Sequence, residues 1–196
     1  MSTVKYYDWS YHQARTRPNK VAVKEVSTGR ETTYGQLEER SCRLASWLQN
    51  KGVKKGDRVA ILIHNCTEVF ELEFACAKIG AIELPLNWRL TKPELEYILN
   101  DSSPEVLIYG SNFADTAKAL TIDCSIKNSL EIDDEDQNNE YEQALKENID
   151  FDVVETTHDD LIMLMYTSGT TGHPKGAMIT HEMQFYNIVN LAGSAR

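Results

Sequence analysis

Residues 161–181, LIMLMYTSGTTGHPKGAMITH, join a short apolar run to a turn rich in glycine, serine and threonine, and then to a second apolar run. The first run, 161–166, is too short for a free-standing helix, and the turn that follows it favours a buried strand. The second run, 177–179, has the same character. This stretch therefore predicts a strand, a loop and a second strand.

The composition of this loop suits an anionic ligand, and phosphate is the natural candidate. Glycine lets backbone N–H groups approach a ligand closely, and the hydroxyl side chains add further donors. Successive inward-facing N–H groups form a concave anion site. Lys175 adds a positive charge, and Pro174 before it stiffens the approach. A run of this kind between apolar segments is more often an ordinary loop, so both interpretations stay open at this point.

The order of residues in the loop disfavours one familiar nucleotide-binding fold. In P-loop enzymes, Gly-x-x-x-x-Gly-Lys-Ser/Thr leads directly into a helix. Here residues 169–176 read GTTGHPKG and are followed by the apolar residues 177–179. The pattern predicts a strand after the loop, so we do not expect a P-loop fold.

Upstream of the loop, strand and helix patterns alternate three times. Apolar runs at 58–63, 81–85 and 105–109 predict buried strands. Helices are predicted between them, beginning at capping-box spacings that start from Asn65 and Thr91. This alternation predicts an α/β fold with a mainly parallel sheet flanked by helices.

The first fifty residues predict three smaller elements. A helix is expected within residues 1–20, and residues 21–26 and 31–34 flank a turn that is typical of a small β-hairpin. Thr33 has a glutamine three positions later, which is capping-box spacing for a helix that Gly52 is placed to end.

The chain has a net charge of −10, and its excess of negative charge lies in one segment. Residues 131–160 hold thirteen aspartates and glutamates against a single lysine. Because nucleic-acid binding needs a basic face, this balance disfavours it. We expect residues 133–139 to form a solvated loop rather than a metal site, and residues 140–147 to form a helix.

The four cysteines lie too far apart for a CxxC metal pair: Cys42, Cys66, Cys76 and Cys124. Mostly apolar or helical surroundings predict reduced, packed thiols for the first three. The N-terminus has no apolar signal region, and no apolar run is long enough to cross a membrane. We therefore expect a cytoplasmic protein without a transmembrane segment.

Residues 166–177, YTSGTTGHPKGA, resemble the phosphate-binding signature of the adenylate-forming superfamily, which contains acyl-CoA synthetases, luciferases and adenylation domains of peptide synthetases. Residues 33–37, TYGQL, and 80–90, GAIELPLNWRL, resemble two further elements of that family. The Asn-x-Arg-Leu ending at 87–90 is more similar to acyl- and aryl-CoA synthetases than to amino-acid-activating domains. We interpret these two elements as scaffold.

The resemblance implies a set of ligand-binding residues in the loop. Those expected to contact the β- and γ-phosphates of ATP are Thr167, Ser168, Gly169, Thr170, Thr171, Gly172 and Lys175. Lys175 is the implied catalytic residue, because its charge would stabilise the departing pyrophosphate. The hydroxyl of Thr170 would help to hold Mg²⁺, as in fatty-acid members of the family.

The implied activity of the intact protein is that of an acyl-CoA synthetase. It would use ATP, Mg²⁺ and coenzyme A to convert a carboxylic acid, a fatty acid in the first instance, to an acyl-adenylate and then to a thioester. An aryl or amino acid as substrate and a non-catalytic phosphate-binding module are the alternatives. Formation of a homo-oligomer stays open.

The resemblance also leads to an expectation about domains. Family members continue with segments for adenine, ribose and Mg²⁺ and with a small C-terminal domain that carries a catalytic lysine, and none of these is found in this sequence. We therefore expect residues 1–196 to be the N-terminal part of the large AMP-binding domain, without the remainder of that domain or the C-terminal lid domain. Alone, this part is expected to be inactive.

Overall fold

A computed structural model describes residues 8–133, 136, 138–146, 150–167 and 173–194. The helices are α1 (Trp9–Thr16), α2 (Tyr34–Asn50), α3 (Thr67–Ile79), α4 (Lys92–Ser102), α5 (Ala114–Asp123), α6 (Glu140–Ala144) and α7 (His181–Ser194). The strands are β1 (Val21–Lys24), β2 (Glu31–Thr33), β3 (Arg58–Leu62), β4 (Ile82–Pro85), β5 (Val106–Gly110), β6 (Asn128–Ile132), β7 (Leu161–Thr167) and β8 (Lys175–Thr180).

The central sheet has six strands in the order β6-β5-β3-β4-β7-β8. The neighbours from β6 to β7 are all parallel, and β8 alone in this sheet runs antiparallel to its neighbour β7. The strands β1 and β2 form a separate antiparallel hairpin. The predicted α/β fold, with a mainly parallel sheet and a small hairpin near the start, is confirmed.

Both faces of the sheet are covered by helices, which explains the continuous apolar runs in its strands. Successive side chains of a strand point to opposite faces. Val59 and Ile61 of β3 accordingly pack with α2, α3 and α6, whereas Ala60 and Leu62 pack with α4 and α5. The connections after β3 and after β4 therefore leave the sheet on opposite faces.

The helix α2 begins and ends as its sequence predicts. The hydroxyl of Thr33 accepts a hydrogen bond from the backbone N–H of Gln36, whose side chain accepts one from the N–H of Thr33. At the other end, Gly52 has a φ of 89°, a left-handed conformation that glycine adopts without strain. Leu44 and Leu48 are completely buried between these ends.

The prediction that Asn65 caps α3 is wrong. The N-cap is Cys66, and its side chain makes no capping hydrogen bond. The carboxylate of Glu25, from the hairpin, accepts hydrogen bonds from both the backbone N–H and the hydroxyl of Thr67, each of 2.9 Å. A partner distant in sequence thus satisfies one of the free N–H groups that every helix N-terminus presents.

Other boundaries also differ from the prediction. The helix α6 ends at Ala144 rather than at residue 147, and α7 continues through Gly193, a residue type that often ends a helix. The helix α5 and the strand β6 were not predicted. Residues 134, 135 and 137 of the acidic loop lie outside the described part of the chain.

All four cysteines are free thiols, as predicted for the first three. Burial raises the pKa of the Cys42 thiol to about 12 and raises that of Cys76 well above its ordinary value. Within the described ranges, no helix combines the length and apolar character that crossing a membrane requires.

Candidate phosphate-binding site

The candidate site lies at the carboxyl ends of the parallel strands. Because the connections after β3 and β4 leave the sheet on opposite faces, a crevice opens between these two strands, and α/β proteins bind ligands in such crevices. The residues that follow β3 and β4 and those at the end of β7 line one cleft of about 540 Å³ there.

The glycine-rich segment connects β7 to β8, so the strands predicted before and after it are confirmed. The two strands pair along their length, and Thr167 lies opposite Lys175 at the end of the hairpin where the connecting segment begins and ends. The strand β8 begins at Lys175, two residues earlier than predicted. The hairpin therefore presents Thr167 and Lys175 side by side where the loop starts and finishes.

Two of the predicted site residues can be located. The side chains of Thr167 and Lys175 are both exposed at the carboxyl end of the sheet. Five predicted site residues lie outside the described residues: Ser168, Gly169, Thr170, Thr171 and Gly172. Their roles stay predictions.

Gly176, directly after Lys175, lies opposite Tyr166 across the hairpin. A Cβ atom at Gly176 would lie 2.9 Å from Cδ1 of Leu164 and 3.2 Å from Cζ of Tyr166. The side chains of Leu164 and Tyr166 thus border the space that any residue larger than glycine would need.

Helix α4 contacts both ends of the loop. The hydroxyl of Tyr166 donates a short hydrogen bond to Asp101. The ring of His173 stacks on that of Tyr97, with 4.9 Å between the ring centroids and 20° between the ring planes. Partial burial and the bond to the Asp101 carboxylate raise the pKa of Tyr166, which keeps its hydroxyl protonated.

The cleft beside the hairpin carries an aromatic cluster that includes Trp88, from the segment 80–90 that the sequence led us to interpret as scaffold. His64 lies edge-on to Trp88 at 4.6 Å and to Phe113 at 5.0 Å between ring centroids. The guanidinium of Arg89 lies 4.3 Å from the centroid of the Trp88 ring. Asn87 borders this cleft and also the smaller one next to His173. The signal for His64, Trp88 and Arg89 was their place shortly after strands β3 and β4.

His181 directly follows β8, where its sequence context indicates a packing or helix-capping residue rather than a general base, and it is buried at the start of α7. Its backbone N–H donates to the carbonyl of Asp160. Burial lowers the pKa of its imidazole to about 4, so the ring is neutral at pH 7. This supports the packing interpretation.

Glu83 of β4 is buried on the sheet face toward α3. Burial, together with the negative charge of Glu73 nearby, raises the pKa of its carboxyl to about 8. Within the described part of the chain, neither of its oxygens has a hydrogen-bond partner, and no group of three or more His, Cys, Asp and Glu side chains could hold a metal ion.

Comparison with known families agrees with this geometry. The family described as "AMP-binding enzyme" matches residues 10–195. The chain belongs to this family. Among solved structures, the N-terminal domain of FACL13 from Mycobacterium tuberculosis superposes on this AMP-binding enzyme with a TM-score of 0.80 and 36% sequence identity, covering 91% of this chain and 45% of that one. The anthranilate CoA ligase AuaEII superposes with a TM-score of 0.84 and 26% identity, covering 97% and 36%.

Curated relatives of this chain include acyl-CoA ligases. A feruloyl-CoA synthase from Amycolatopsis is 40% identical over 183 residues, which are 93% of this chain and 35% of that protein. The long-chain-fatty-acid–CoA ligase FadD13 from Mycobacterium tuberculosis is 38% identical over 180 residues, which are 91% and 36%. The chain therefore spans about a third of the length of these curated relatives.

Proposed function

We propose that the protein containing this chain activates a carboxylic acid with ATP and transfers the acyl group to coenzyme A. The observation that carries this proposal is the β7–β8 hairpin, which presents Thr167 and Lys175 at either end of a glycine- and hydroxyl-rich loop at the carboxyl edge of a parallel sheet. Backbone N–H groups, hydroxyls and one ammonium group together suit a polyphosphate.

In the proposed reaction, the substrate carboxylate attacks the α-phosphorus of ATP, which forms an acyl-adenylate and releases pyrophosphate. The thiol of coenzyme A then attacks the acyl carbonyl, and AMP leaves. Residues 167–172 and Lys175 hold the β- and γ-phosphates during the first step. Because Lys175 neutralises charge that develops on pyrophosphate, it acts by electrostatic stabilisation and positioning rather than as a nucleophile.

A magnesium ion would neutralise phosphate charge in this site. Hydroxyl and phosphate oxygens are ligands that Mg²⁺ accepts, and it is commonly held through few protein ligands together with substrate phosphates. The residues of the loop fit this way of holding Mg²⁺, because the hydroxyls of Thr167 and Thr170 belong to the same segment as the proposed phosphate-binding residues. We assign Thr170 to this role.

A fatty acid is the substrate that we propose first, and an aromatic acid is the second candidate. The similarity to FadD13 favours the former, and the similarity to feruloyl-CoA synthase favours the latter. We further propose that residues 1–196 form the N-terminal part of the AMP-binding domain. The adenine, ribose and acyl sites would then lie in other parts of the protein.

The proposal is tested with the intact protein by measuring exchange of pyrophosphate into ATP in the presence of a panel of fatty, aromatic and amino acids. We expect exchange that depends on one class of acid, and loss of tens-fold or more of it in Lys175→Ala. The matched control is Lys127→Ala, because Lys127 is an exposed lysine at the amino ends of the parallel strands, opposite the loop. No exchange with any acid would favour a non-catalytic phosphate-binding module, and full exchange in Lys175→Ala would disprove the role of this residue.

A further inference from the structure

Helix α4 holds both ends of the glycine-rich loop through two side chains on one face. Tyr97 and Asp101 are four positions apart in the helix, so they lie one turn from each other on the same side. Asp101 accepts the hydrogen bond from Tyr166, before the loop, and Tyr97 stacks on His173, after it. We infer that Tyr97 and Asp101, together called the loop clamp, are positioning residues for phosphate binding.

Helix α4, which carries the loop clamp, is itself fixed to the rest of the fold. The carboxylate of Glu94 accepts hydrogen bonds of 2.7 Å and 2.6 Å from the backbone N–H and the hydroxyl of Thr91, which fixes the start of α4. The opposite face of the helix carries side chains buried against the sheet: Leu95, Ile98 and Leu99. A helix fixed on one face can therefore hold Tyr166 and His173 through the other.

Core packing does not account for the residues of the loop clamp. Asp101 is exposed, and Tyr97 keeps 37% of its surface exposed although it is a large aromatic residue. The contacts that the structure gives these side chains lead to Tyr166 and His173, which flank the loop. Their position is thus explained by the loop rather than by the stability of α4.

The strand pairing of the hairpin makes the clamp contact with Tyr166 feasible. Because Gly176 has no side chain, the ring of Tyr166 can lie across it and extend its hydroxyl toward α4. The last glycine of the loop motif thereby gains a role that does not require contact with a phosphate group. It leaves room for the tyrosine that reaches Asp101.

The energetic consequence follows from preorganisation. A ligand that must order a loop loses binding free energy to conformational entropy, whereas a loop held at both ends has less freedom to lose. Small displacements of groups that position a reacting substrate reduce rates strongly. Weakening the clamp should therefore raise the KM for ATP and lower the rate of pyrophosphate exchange into ATP. The KM for the carboxylic acid should change little.

This inference rests on the proposed function, and it is tested in the intact protein with four variants. Tyr97→Leu removes the stack on His173, and Tyr97→Phe keeps it. Asp101→Ala and Tyr166→Phe each remove the same hydrogen bond. We expect Tyr97→Leu and Asp101→Ala to raise the KM for ATP at least about tenfold, and Tyr97→Phe to behave like the wild type. The control is Asn100→Ala, an exposed residue on another face of α4.

Two further measurements separate a clamp from simple destabilisation. The double variant of Asp101 and Tyr166 should be no worse than either single variant, because the two changes remove one shared interaction. Melting temperatures should stay within a few degrees of the wild type. An unchanged KM for ATP in Tyr97→Leu and Asp101→Ala, with an active wild type, would overturn the clamp.

A readout that does not need activity keeps the clamp distinct from the proposed reaction. Amide hydrogen exchange in the peptide 164–178 should be faster in Tyr97→Leu and Asp101→Ala than in the wild type and in Asn100→Ala. Equal rates of amide hydrogen exchange in the wild type and in these three variants would disprove the clamp. This conclusion would hold whether or not the protein catalyses pyrophosphate exchange. A wild type that shows no pyrophosphate exchange, with faster amide exchange in the two variants, would disprove the proposed reaction alone.

Discussion

The phenolic hydroxyl of Tyr141 donates a hydrogen bond of 2.7 Å to Glu71, although the two residues are 70 positions apart in the sequence. Both side chains are almost completely buried. Arg40 contacts the other oxygen of the same carboxylate at 2.6 Å and also binds Glu142. A polar network inside the fold therefore joins α2, α3 and α6.

Tyr141→Phe removes this hydrogen bond and keeps the ring in place. We expect the free energy of unfolding to fall by about 1–3 kcal/mol, because a buried acceptor loses a donor that water cannot replace. Urea unfolding at pH 7 measures the difference. Tyr186→Phe, at an exposed position on α7, is the matched control and should change stability little. Equal stability of the two variants would show that the buried bond contributes nothing.

Glu83→Gln should alter how stability depends on pH. The pKa of Glu83 is about 8 in the folded protein against an ordinary value of 4.5. The folded state therefore binds the proton more tightly than the unfolded state does. The resulting stabilisation is complete below about pH 4.5 and is lost as the pH rises through 8, at a cost on the order of 3–5 kcal/mol.

Glutamine cannot ionise, so the variant should lose this component of the pH dependence. Relative to the wild type, its free energy of unfolding should increase from pH 5 to pH 9, as measured by denaturant titration across that range. The control Glu182→Gln, at an exposed position, should follow the wild-type profile. Parallel profiles for the wild type and Glu83→Gln would contradict the prediction.

Lys78→Met should detach α1 from the rest of the fold. The ammonium group of Lys78, itself 3% exposed, lies 2.7 Å from Asp8 at the start of α1 and 2.8 Å from Glu38 of α2. These two carboxylates outweigh the effect of burial and raise the pKa of Lys78. Without the lysine, two like charges stay close together.

We expect Lys78→Met to cost about 2–4 kcal/mol, somewhat less than a fully buried pair, because Asp8 is partly exposed. Hydrogen exchange in residues 9–16 should rise more than in β3–β6. Lys24→Met, which removes an exposed ion pair with Glu31, is the control and should cost less than about 1 kcal/mol. A comparable loss in both variants would argue against the buried bridge.

Gly176→Ala tests the space that Tyr166 occupies. A methyl group there would lie 2.9 Å from Cδ1 of Leu164 and 3.2 Å from Cζ of Tyr166, so the end of the leucine side chain would have to shift and the tyrosine ring would have to give by a few tenths of an ångström. Overpacking of this kind typically costs about 1–3 kcal/mol. We expect a lower melting temperature and a raised KM for ATP in the intact protein. Met178→Ala, at an exposed position on the same strand, should change neither. Wild-type values for Gly176→Ala would show that the hairpin adapts freely.

Local signals in the sequence were enough to predict much of the scaffold. The capping box at Thr33 fixes the start of α2, and Gly52 follows its end in the conformation that glycine permits. Apolar runs bounded by turn residues predicted β3, β4, β5 and β7 to within a residue or two at each end. In these elements, the residues that decide the structure are also neighbours in the sequence.

Elements that depend on distant partners could not be predicted in this way. The N-terminus of α3 is capped by Glu25 of the hairpin, so the spacing around Asn65 was misleading. The strand β6 reads NSLEI, with few residues of high β-propensity, and it forms at the sheet edge because β5 pairs with it. Pairing across the fold overrode local preference in both cases.

The candidate site shows the same division. The loop motif drew attention to Thr167 and Lys175, because both residues belong to one short, recognisable stretch of sequence. Tyr97 and Asp101 carry no motif, and only the packing of α4 beside the hairpin brings them to the loop. Trp88 and Arg89 were placed with the scaffold, although residues directly after a parallel strand generally face the ligand crevice.

The strand order also sets an order of assembly. The strands β3, β4, β5 and β6 pair only with one another until β7 arrives, so this part of the sheet needs no residue of the loop-bearing hairpin. β7 must return from the far edge to reach β4, and closing such a long loop is entropically costly and slow. Chains are made from the N-terminus. The ribosome therefore releases four of the six strands of the sheet before it releases the glycine-rich segment, and an interrupted synthesis would leave those strands without the β7–β8 hairpin.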